Sequence, residues 1–281
     1  NPIEPEIIIV DNVVVIPTEG VENALAWGYA GSLPSPPDWE LVGSPLGKFR
    51  ANTLLERAVT ASINAHTEAD PRLPNAPLPI VNFESTPVFD DEVWLSLTSP
   101  LKHQLSAAAV KCIDNAMEIR SVNTLRWDGQ SWWAASTDGP GMLIVAEAFG
   151  FETSSVLGIN GGGGAARSVA AAWCRAGGSI NQIGGNRLLD EDGPWTFTED
   201  EPSIRIDFEN DGGDLQVRYD PMEGDYDSRI DKLSNFADGR WLLCAQHLMS
   251  WASLWAPKYA EHLPSISLLM TRLVAVEVHL E

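Results

Sequence analysis

The chain has 281 residues, of which 44% are hydrophobic and 8% aromatic, so it is long enough to bury a substantial core in one large or two moderate domains. Its 39 acidic and 18 basic residues give a net charge of −21, which disfavours nucleic acid and anionic membranes as partners because the protein's field repels them. Cys112, Cys174 and Cys244 lack the spacing of a zinc site or a disulfide framework, so no metal site is expected.

The apolar windows of the sequence are too short or too interrupted to span a bilayer, which needs about 20 apolar residues. The given sequence does not open on a basic, apolar leader with a cleavage site of small residues. We therefore expect a cytoplasmic protein that does not bind membranes.

In chain order, the first half shows short apolar runs that alternate with helical patterns, and a Pro-rich connector lies at 33–37. The predicted elements are strands at 7–10, 13–16, 78–82 and 93–97, and helices at 52–64 and 101–118. The first two strands are expected to pair with each other. Strands that alternate with helices predict an α/β architecture with much parallel sheet.

The second half contains a glycine cluster between a predicted strand at 154–159 and an alanine-rich helix at 165–176, with a further strand at 179–183. This order predicts a βαβ unit. Glycines at such a turn let the backbone approach a pyrophosphate, and the amides that open the following helix attract its charge. The residues predicted to bind a dinucleotide here are Gly161, Gly162, Gly163, Gly164 and Ala165.

Three polar residues stand in short motifs outside this unit. Lys102 ends SLTSPLK, Asn123 lies in SVNTL, and Asp138 lies in STDGPG. A lysine, an asparagine and an aspartate are the side chains needed for proton transfer to a small oxygenated substrate. Their spacing alone leaves open that Lys102 is a solvated lysine and Asp138 an ordinary turn residue.

Taken together, these segments resemble the shikimate dehydrogenase family from about residue 42 to residue 255. The resemblance rests on ordered blocks, namely GSPLG at Gly43, SLTSPLK at Ser96, SVNTL at Ser121, STDGPG at Ser136, GGGGAAR at Gly161, GGNR at Gly184, VRYDP at Val217 and GRWLLCAQ at Gly239. It implies an α/β fold with an amino-terminal α/β substrate domain and a Rossmann-type nucleotide-binding domain. The latter is shortened, because few residues separate Asn186 from Tyr219.

The domain boundaries expected from this resemblance follow the motifs. They are 1–140 for the substrate domain with an amino-terminal extension at 1–38, 141–240 for the nucleotide domain, and 241–281 for a carboxy-terminal segment that packs back on the substrate domain. The run at 273–279 also reads as a strand, and it is a candidate partner for the amino-terminal strands.

The resemblance implies that Lys102 and Asp138 act as an acid/base pair, which protonates the alkoxide formed when hydride reaches a ketone. Gln246 has physical support as well: its neighbours in the motif are apolar, and burying an unpaired amide among them costs about 1–3 kcal/mol. The residues implied to contact the substrate are Thr98, Asn123, Tyr219 and Gln246.

Two positions depart from the family's substrate motif. Phe49 and Ala51 stand where the family has two serines that bind the substrate carboxylate. Lys48 and Arg50 are adjacent, and a guanidinium grips a carboxylate through two hydrogen bonds. We expect Lys48 and Arg50 to replace the serines, or the substrate to differ.

The motif GGNR bears on the cofactor. Asn186 and Arg187 match family positions, and the arginine favours the 2′-phosphate of NADP. The acidic residues at 190–192 act against that phosphate, since carboxylates repel it and bind the ribose hydroxyls of NAD. NADP is the expected cofactor, and NAD is possible.

The resemblance thus implies a reversible, NADPH-dependent reduction of 3-dehydroshikimate to shikimate, a step of aromatic amino acid biosynthesis through chorismate. The expected ligand is a small cyclic hydroxy acid, and the expected assembly is a monomer or a homodimer. One alternative is an NAD-dependent quinate or shikimate dehydrogenase, or a related hydroxy-acid dehydrogenase. The other is a non-catalytic family member with an altered ligand.

Overall fold

The computed structural model describes residues 8–10, 13–15, 68–78, 93–96, 102, 110–127, 132–255 and 265–280. Across these ranges strands alternate with helices, and parallel strand pairs occur in two of the three sheets. The predicted α/β class is confirmed. The predicted helix at 52–64 and the Pro-rich connector at 33–37 lie outside the described residues.

Two short strands near the amino terminus form a sheet of their own. β1 (Ile8–Val10) pairs antiparallel with β2 (Val13–Val15), with Ile9 opposite Val14. The β-branched residues suit a pleated surface, and the predicted strand pair is confirmed.

The second sheet has four strands in the order β3-β5-β6-β4. They are β3 (Val93–Ser96), β4 (Val110–Cys112), β5 (Thr124–Trp127) and β6 (Trp132–Ala135). β5 pairs antiparallel with both β3 and β6, whereas β4 lies parallel to β6. The sheet is therefore mixed rather than mainly parallel.

The helix predicted at 101–118 is wrong over its second half. Val110 and Cys112 lie in β4, in register with Trp132 and Ala134. A run of turns follows the strand and closes with a hydrogen bond from the Ser121 amide to the carbonyl of residue 116 at 2.9 Å. Pairing with β6 outweighs the helical propensity of the preceding alanines, because tertiary context overrides local preference.

The third sheet is parallel throughout and confirms the predicted βαβ unit. Its strands, in the order β8-β7-β9, are β7 (Val156–Asn160), β8 (Ser179–Gly184) and β9 (Ile204–Asp207). Helix α2 (Gly164–Arg175) connects β7 to β8. Leu157, Gly158 and Ile159 of the central strand are all buried, as expected for a strand covered on both faces.

Helix α1 (Asp138–Ala148) joins the two larger sheets and packs between two other helices. A Cβ atom on Gly139 would stand 2.1 Å from the backbone oxygen of Ser168 in α2. One on Gly141 would stand 2.8 Å from the backbone nitrogen of Gln246 in α4 (Gly239–Ser250). Both glycines are thus required by close helix packing.

The carboxy-terminal part of the chain is helical. α4 continues into a π-helical turn (Trp251–Trp255), and α3 (Tyr226–Asn235) precedes it, capped by the Asp225 carboxylate. Residues 273–279 lie within α5 (Ile266–Leu280), so the strand predicted there is wrong. The physical reason is the helical spacing of the buried apolar positions, Ile266, Leu269, Met270, Leu273 and Val274.

Within the described ranges, no helix is both long enough and apolar enough to cross a membrane.

Candidate functional site

Lys102 and Asp138 form an ion pair in which the lysine Nζ lies 2.7 Å from Asp138 Oδ2. The pair is largely shielded from water, since the carboxylate side chain is 3% exposed and the lysine side chain 15%. Asp138 lies in the first turn of α1, where the positive end of the helix dipole stabilises a carboxylate. The aspartate is therefore a helix-initiating residue held beside an ammonium group.

A buried amide connects this pair to helix α4. Asn123, directly before β5, donates from Nδ2 to Gln246 Oε1 and to Thr137 Oγ1, each at 2.8 Å. The same nitrogen lies 3.3 Å from Asp138 Oδ1. Asn123 Oδ1 accepts the Thr137 amide at 2.7 Å, so both ends of the side chain are bonded. Asn123 thereby fixes the positions of Asp138 and Gln246 relative to each other.

Helix α4 adds two further residues to the hydrogen-bond network around Asn123. Ser250 Oγ lies 2.9 Å from Thr137 Oγ1 and donates to the Gln246 carbonyl at 2.8 Å. His247 Nδ1 lies 2.9 Å from Gln246 Nε2 and 2.7 Å from the Leu243 carbonyl, and the tautomer decides which of the two it engages. Burial lowers the pKa of His247 to about 4, so the imidazole is neutral at physiological pH.

The three glycines of the loop after β7 have different environments. Gly161 has a φ of 109°, and its amide donates to the Gly184 carbonyl at 2.9 Å. A Cβ atom on Gly162 would stand 2.2 Å from the Leu188 carbonyl, whereas one on Gly163 would have no atom of the described residues within 4 Å. The first two glycines thus allow tight backbone packing, and Gly163 leaves open space at the start of α2.

The amino terminus of α2 has no side-chain cap. Its N-cap is Gly163 in extended conformation, a residue with no side chain to accept a hydrogen bond from the first amides. The first amides of such a helix lack intrahelical partners and carry partial positive charge. They are therefore suited to an anionic group.

Helix α2 and the ion pair face one cavity of about 450 Å³, within the range of roughly 300–1,000 Å³ typical of ligand sites. Its polar and charged lining comes from Lys102, from the start of α1, from the segments that follow β8 and β9, and from α4. The lining residues are Lys102, Asp138, Gly163, Gly164, Ala165, Ala166, Arg187, Phe208, Glu209, Val217, Arg218, Tyr219, Gly239, Leu242, Leu243 and Gln246.

Most of the residues predicted from sequence meet at this cavity. Asn123 lies behind it, bonded to two lining residues, and Gly161 and Gly162 are buried in the glycine turn. Tyr219 lines the cavity with 45% of its surface exposed and lies under the Arg240 guanidinium, 5.1 Å from the ring centroid. The predicted substrate contacts Thr98, Lys48 and Arg50 lie outside the described residues.

The sequence did not reveal Glu209, which lies two residues beyond the end of β9. Its carboxylate accepts the Asn186 backbone amide at 2.7 and 2.9 Å, the Asn186 side-chain amide at 2.8 Å and the Arg187 backbone amide at 3.2 Å. In the sequence, Glu209 is one of many acids in a turn-rich segment. Only the parallel pairing of β9 with β7 brings it beside the loop after β8.

The acidic run after Arg187 does not supply a free carboxylate at its first position. Asp190 Oδ2 lies 2.8 Å from Arg167 Nη2 and 3.5 Å from Arg120 Nη1. The Arg167 side chain is 3% exposed and also donates from Nε to the Gly162 carbonyl at 3.2 Å. Asp190 therefore stabilises the glycine turn indirectly, through the arginine that binds the Gly162 carbonyl.

Comparison with protein-family models gives no match, and comparison with curated protein sequences gives none either. Comparison with solved structures gives shikimate dehydrogenases. That of Thermus thermophilus, in complex with NADP(H) and shikimate, has 21% sequence identity and a TM-score of 0.49, over 71% of this chain and 84% of that one.

Two further similar structures have comparable scores. Shikimate dehydrogenase of Aquifex aeolicus has 17% identity and a TM-score of 0.47, over 64% of this chain and 76% of that one. Shikimate 5-dehydrogenase of Listeria monocytogenes, in complex with shikimate and NAD, has 15% identity and a TM-score of 0.46, with the same coverages of 64% and 76%.

Proposed function

We propose that this chain is an NAD(P)-dependent oxidoreductase of the shikimate dehydrogenase type, which reversibly reduces the ketone of 3-dehydroshikimate to the alcohol of shikimate. One observation is the main support for this proposal. The buried ion pair of Lys102 and Asp138 lines the same cavity as the uncapped start of α2. A proton-transfer pair and an anion-binding helix terminus at one cavity are what hydride transfer from a dinucleotide requires.

The start of α2 fits the pyrophosphate of a dinucleotide. Gly163 leaves open space where a side chain would otherwise block the approach, and as the N-cap it places no side-chain oxygen on the adjoining amides. Gly163, Gly164 and Ala165 would hold the phosphates there, in the manner of a glycine-rich turn at a helix amino terminus. When bound, the nicotinamide supplies the hydride for reduction or accepts it in oxidation.

Lys102 acts as the general acid in reduction and as the general base in oxidation. As hydride reaches the carbonyl carbon, the oxygen gains negative charge, and Lys102 Nζ gives it a proton to complete the alcohol. In the oxidative direction, the amine takes the hydroxyl proton while the carbon gives up hydride. Asp138, at 2.7 Å, holds the ammonium group in place and stabilises its charge.

Gln246 and Tyr219 are the polar residues of the cavity that suit ring hydroxyls. Gln246 is pre-oriented, because its Oε1 accepts from Asn123 Nδ2 and its Nε2 lies 2.9 Å from His247 Nδ1. Arg218 also lines the cavity and offers a guanidinium to the substrate carboxylate. Substrate orientation in this scheme depends on Gln246 of α4 together with Arg218 and Tyr219 of the segment after β9.

The test is a steady-state assay that follows the near-ultraviolet absorbance of reduced nicotinamide, with shikimate and either NAD⁺ or NADP⁺. We expect turnover by the parent chain, a loss of about 100-fold or more in Lys102→Ala, and parent-like turnover in Lys232→Ala, an exposed lysine of α3. Circular dichroism of all three checks the fold. Absence of turnover by the parent with both dinucleotides, in both directions, would remove the proposal.

A further inference from the structure

The loop after β8 holds an internal carboxylate where it presents backbone amides. The Asn186 and Arg187 amides both point at Glu209, which accepts them at distances from 2.7 to 3.2 Å. Two successive amides that converge on one carboxylate form an anion site of the kind that also binds phosphate. In this chain, that site is filled by the chain's own side chain.

Glu209 is held in this position by the ends of two neighbouring strands. Asp207 Oδ1 accepts the amides of Glu209 at 2.9 Å and of Asn210 at 2.7 Å, and Asn160 Nδ2 donates to the same oxygen at 2.8 Å. The stem of Glu209 lies against Gly161, where a Cβ atom would stand 3.2 Å from Glu209 Cγ. The glutamate is thus part of a built site at the carboxyl edge of the parallel sheet.

The position of the Glu209 carboxylate in the fold indicates which part of a dinucleotide it would face. In a βαβ dinucleotide site, the loop after the second strand lies beside the adenosine ribose, and an acid there accepts hydrogen bonds from the ribose hydroxyls. Here the first polar residues after β8 are Asn186 and Arg187 rather than an acid, and the first acid beyond them, Asp190, is paired with Arg167. Glu209 brings a carboxylate to the same place from the third strand.

We propose that Glu209 selects NAD over NADP by occupying the amides that a 2′-phosphate needs, an inference that rests on the dinucleotide site of the proposed function. A 2′-phosphate carries a charge of about −1.5 to −2 and would meet both a filled amide site and a like charge. Ribose hydroxyls meet an acceptor instead. Arg187, which favoured NADP from sequence, donates its own backbone amide to the opposing carboxylate.

The experiment measures the dissociation constants of NAD⁺ and NADP⁺ by isothermal titration calorimetry, so it does not depend on turnover. Glu209→Gln is compared with Glu191→Gln, an exposed glutamate of the loop after β8. We expect the dissociation constant of NAD⁺ for the parent to be about 10-fold or more below that of NADP⁺. The reason is that losing a hydrogen bond to a charged group weakens binding by about that factor. Glu209→Gln should reduce this ratio about 10-fold, and Glu191→Gln should retain it.

The possible results distinguish a failure of the role of Glu209 from a failure of the oxidoreductase proposal. Tighter binding of NADP⁺ by the parent, or an unchanged ratio in Glu209→Gln, overturns the role of Glu209 and leaves the oxidoreductase standing. Binding of neither dinucleotide by the parent overturns both. The ratio in the parent decides the outcome even if Glu209→Gln fails to fold.

Discussion

A Cβ atom on Gly164 would stand 2.7 Å from the Cβ of Lys102, closer than non-bonded carbon atoms approach. The first residue of α2 therefore touches the stem of the lysine that pairs with Asp138. Ser121 adds a second link, because its hydroxyl donates to the Gly164 carbonyl at 2.8 Å. The glycine turn that opens α2 and the Lys102–Asp138 ion pair are therefore in direct contact.

Gly164→Ala should consequently reduce turnover while leaving dinucleotide affinity nearly unchanged. The added methyl group displaces Lys102, and a displacement of about 1 Å at a catalytic group costs roughly 100-fold in rate. The measurement is kcat together with the dissociation constant of the preferred dinucleotide. Gly163→Ala is the counterpart, since its methyl group enters open space and should weaken dinucleotide binding instead. Parent-like kcat in Gly164→Ala would contradict the contact.

Asn123→Ala should destabilise the fold. It leaves the Thr137 amide and Gln246 Oε1 without their buried partner, and each such loss costs about 1–3 kcal/mol. Urea denaturation followed by circular dichroism gives the free energy of unfolding. Asn235→Ala, at an exposed position at the end of α3, should stay within about 0.5 kcal/mol of the parent. Equal losses in the two variants would refute the network's importance.

His247 should make stability fall in acid. Burial lowers its pKa in the folded state to about 4 from an ordinary 6.5, although Asp138 acts to raise it. The unfolded chain therefore binds the proton first, so the stabilisation is complete above pH 6.5 and is lost as pH falls toward 4. The free energy of unfolding that is lost in this way is about 3 kcal/mol.

The measurement is the free energy of unfolding of the parent and of His247→Gln across that pH window. Burial raises the pKa of Asp238 and Glu277, which gives the opposite pH dependence, so the difference between parent and variant is the quantity to compare. Parallel pH curves for the two proteins would show that His247 does not carry the effect.

The three thiols should react slowly with Ellman's reagent at neutral pH. Burial raises the pKa of Cys112 to about 11, with a contribution from Asp114, and also raises the pKa of Cys174 and Cys244. Little thiolate is then present, and the thiolate is the reactive form. Denaturant should release all three thiols, and Cys244→Ala should lose one of them without changing the native rate. Fast labelling of the native protein would be incompatible with these environments.

The sequence predicted the βαβ unit well because its signals are local. The predicted strand at 154–159 and helix at 165–176 are observed at Val156–Asn160 and Gly164–Arg175. A buried apolar run, a glycine turn and an alanine-rich helix are all readable over a few residues. The sequence also singled out Lys102 and Asp138 through their motifs, and the structure places the lysine Nζ 2.7 Å from the carboxylate.

What the sequence did not predict depends on distant partners. The hairpin of β5 and β6 was missed, although the Asp128-Gly129 pair between apolar runs is a turn signal. Strand β4 became a strand only through β6, and Glu209 reached its amides only through the pairing of β9. Such contacts are set by the register of strands far apart in sequence.

Helix α1 restricts how the cavity can change shape. Its first turn lacks side chains at Gly139 and Gly141, and the backbones of α2 and α4 fill those positions from opposite sides. Sliding either helix along α1 would drive its backbone from the glycine position against α1 residues that carry side chains, so a shear motion across this junction is sterically opposed. Any closure around a ligand must therefore pivot elsewhere, while the Asp138 carboxylate stays at a fixed position between the two halves of the cavity.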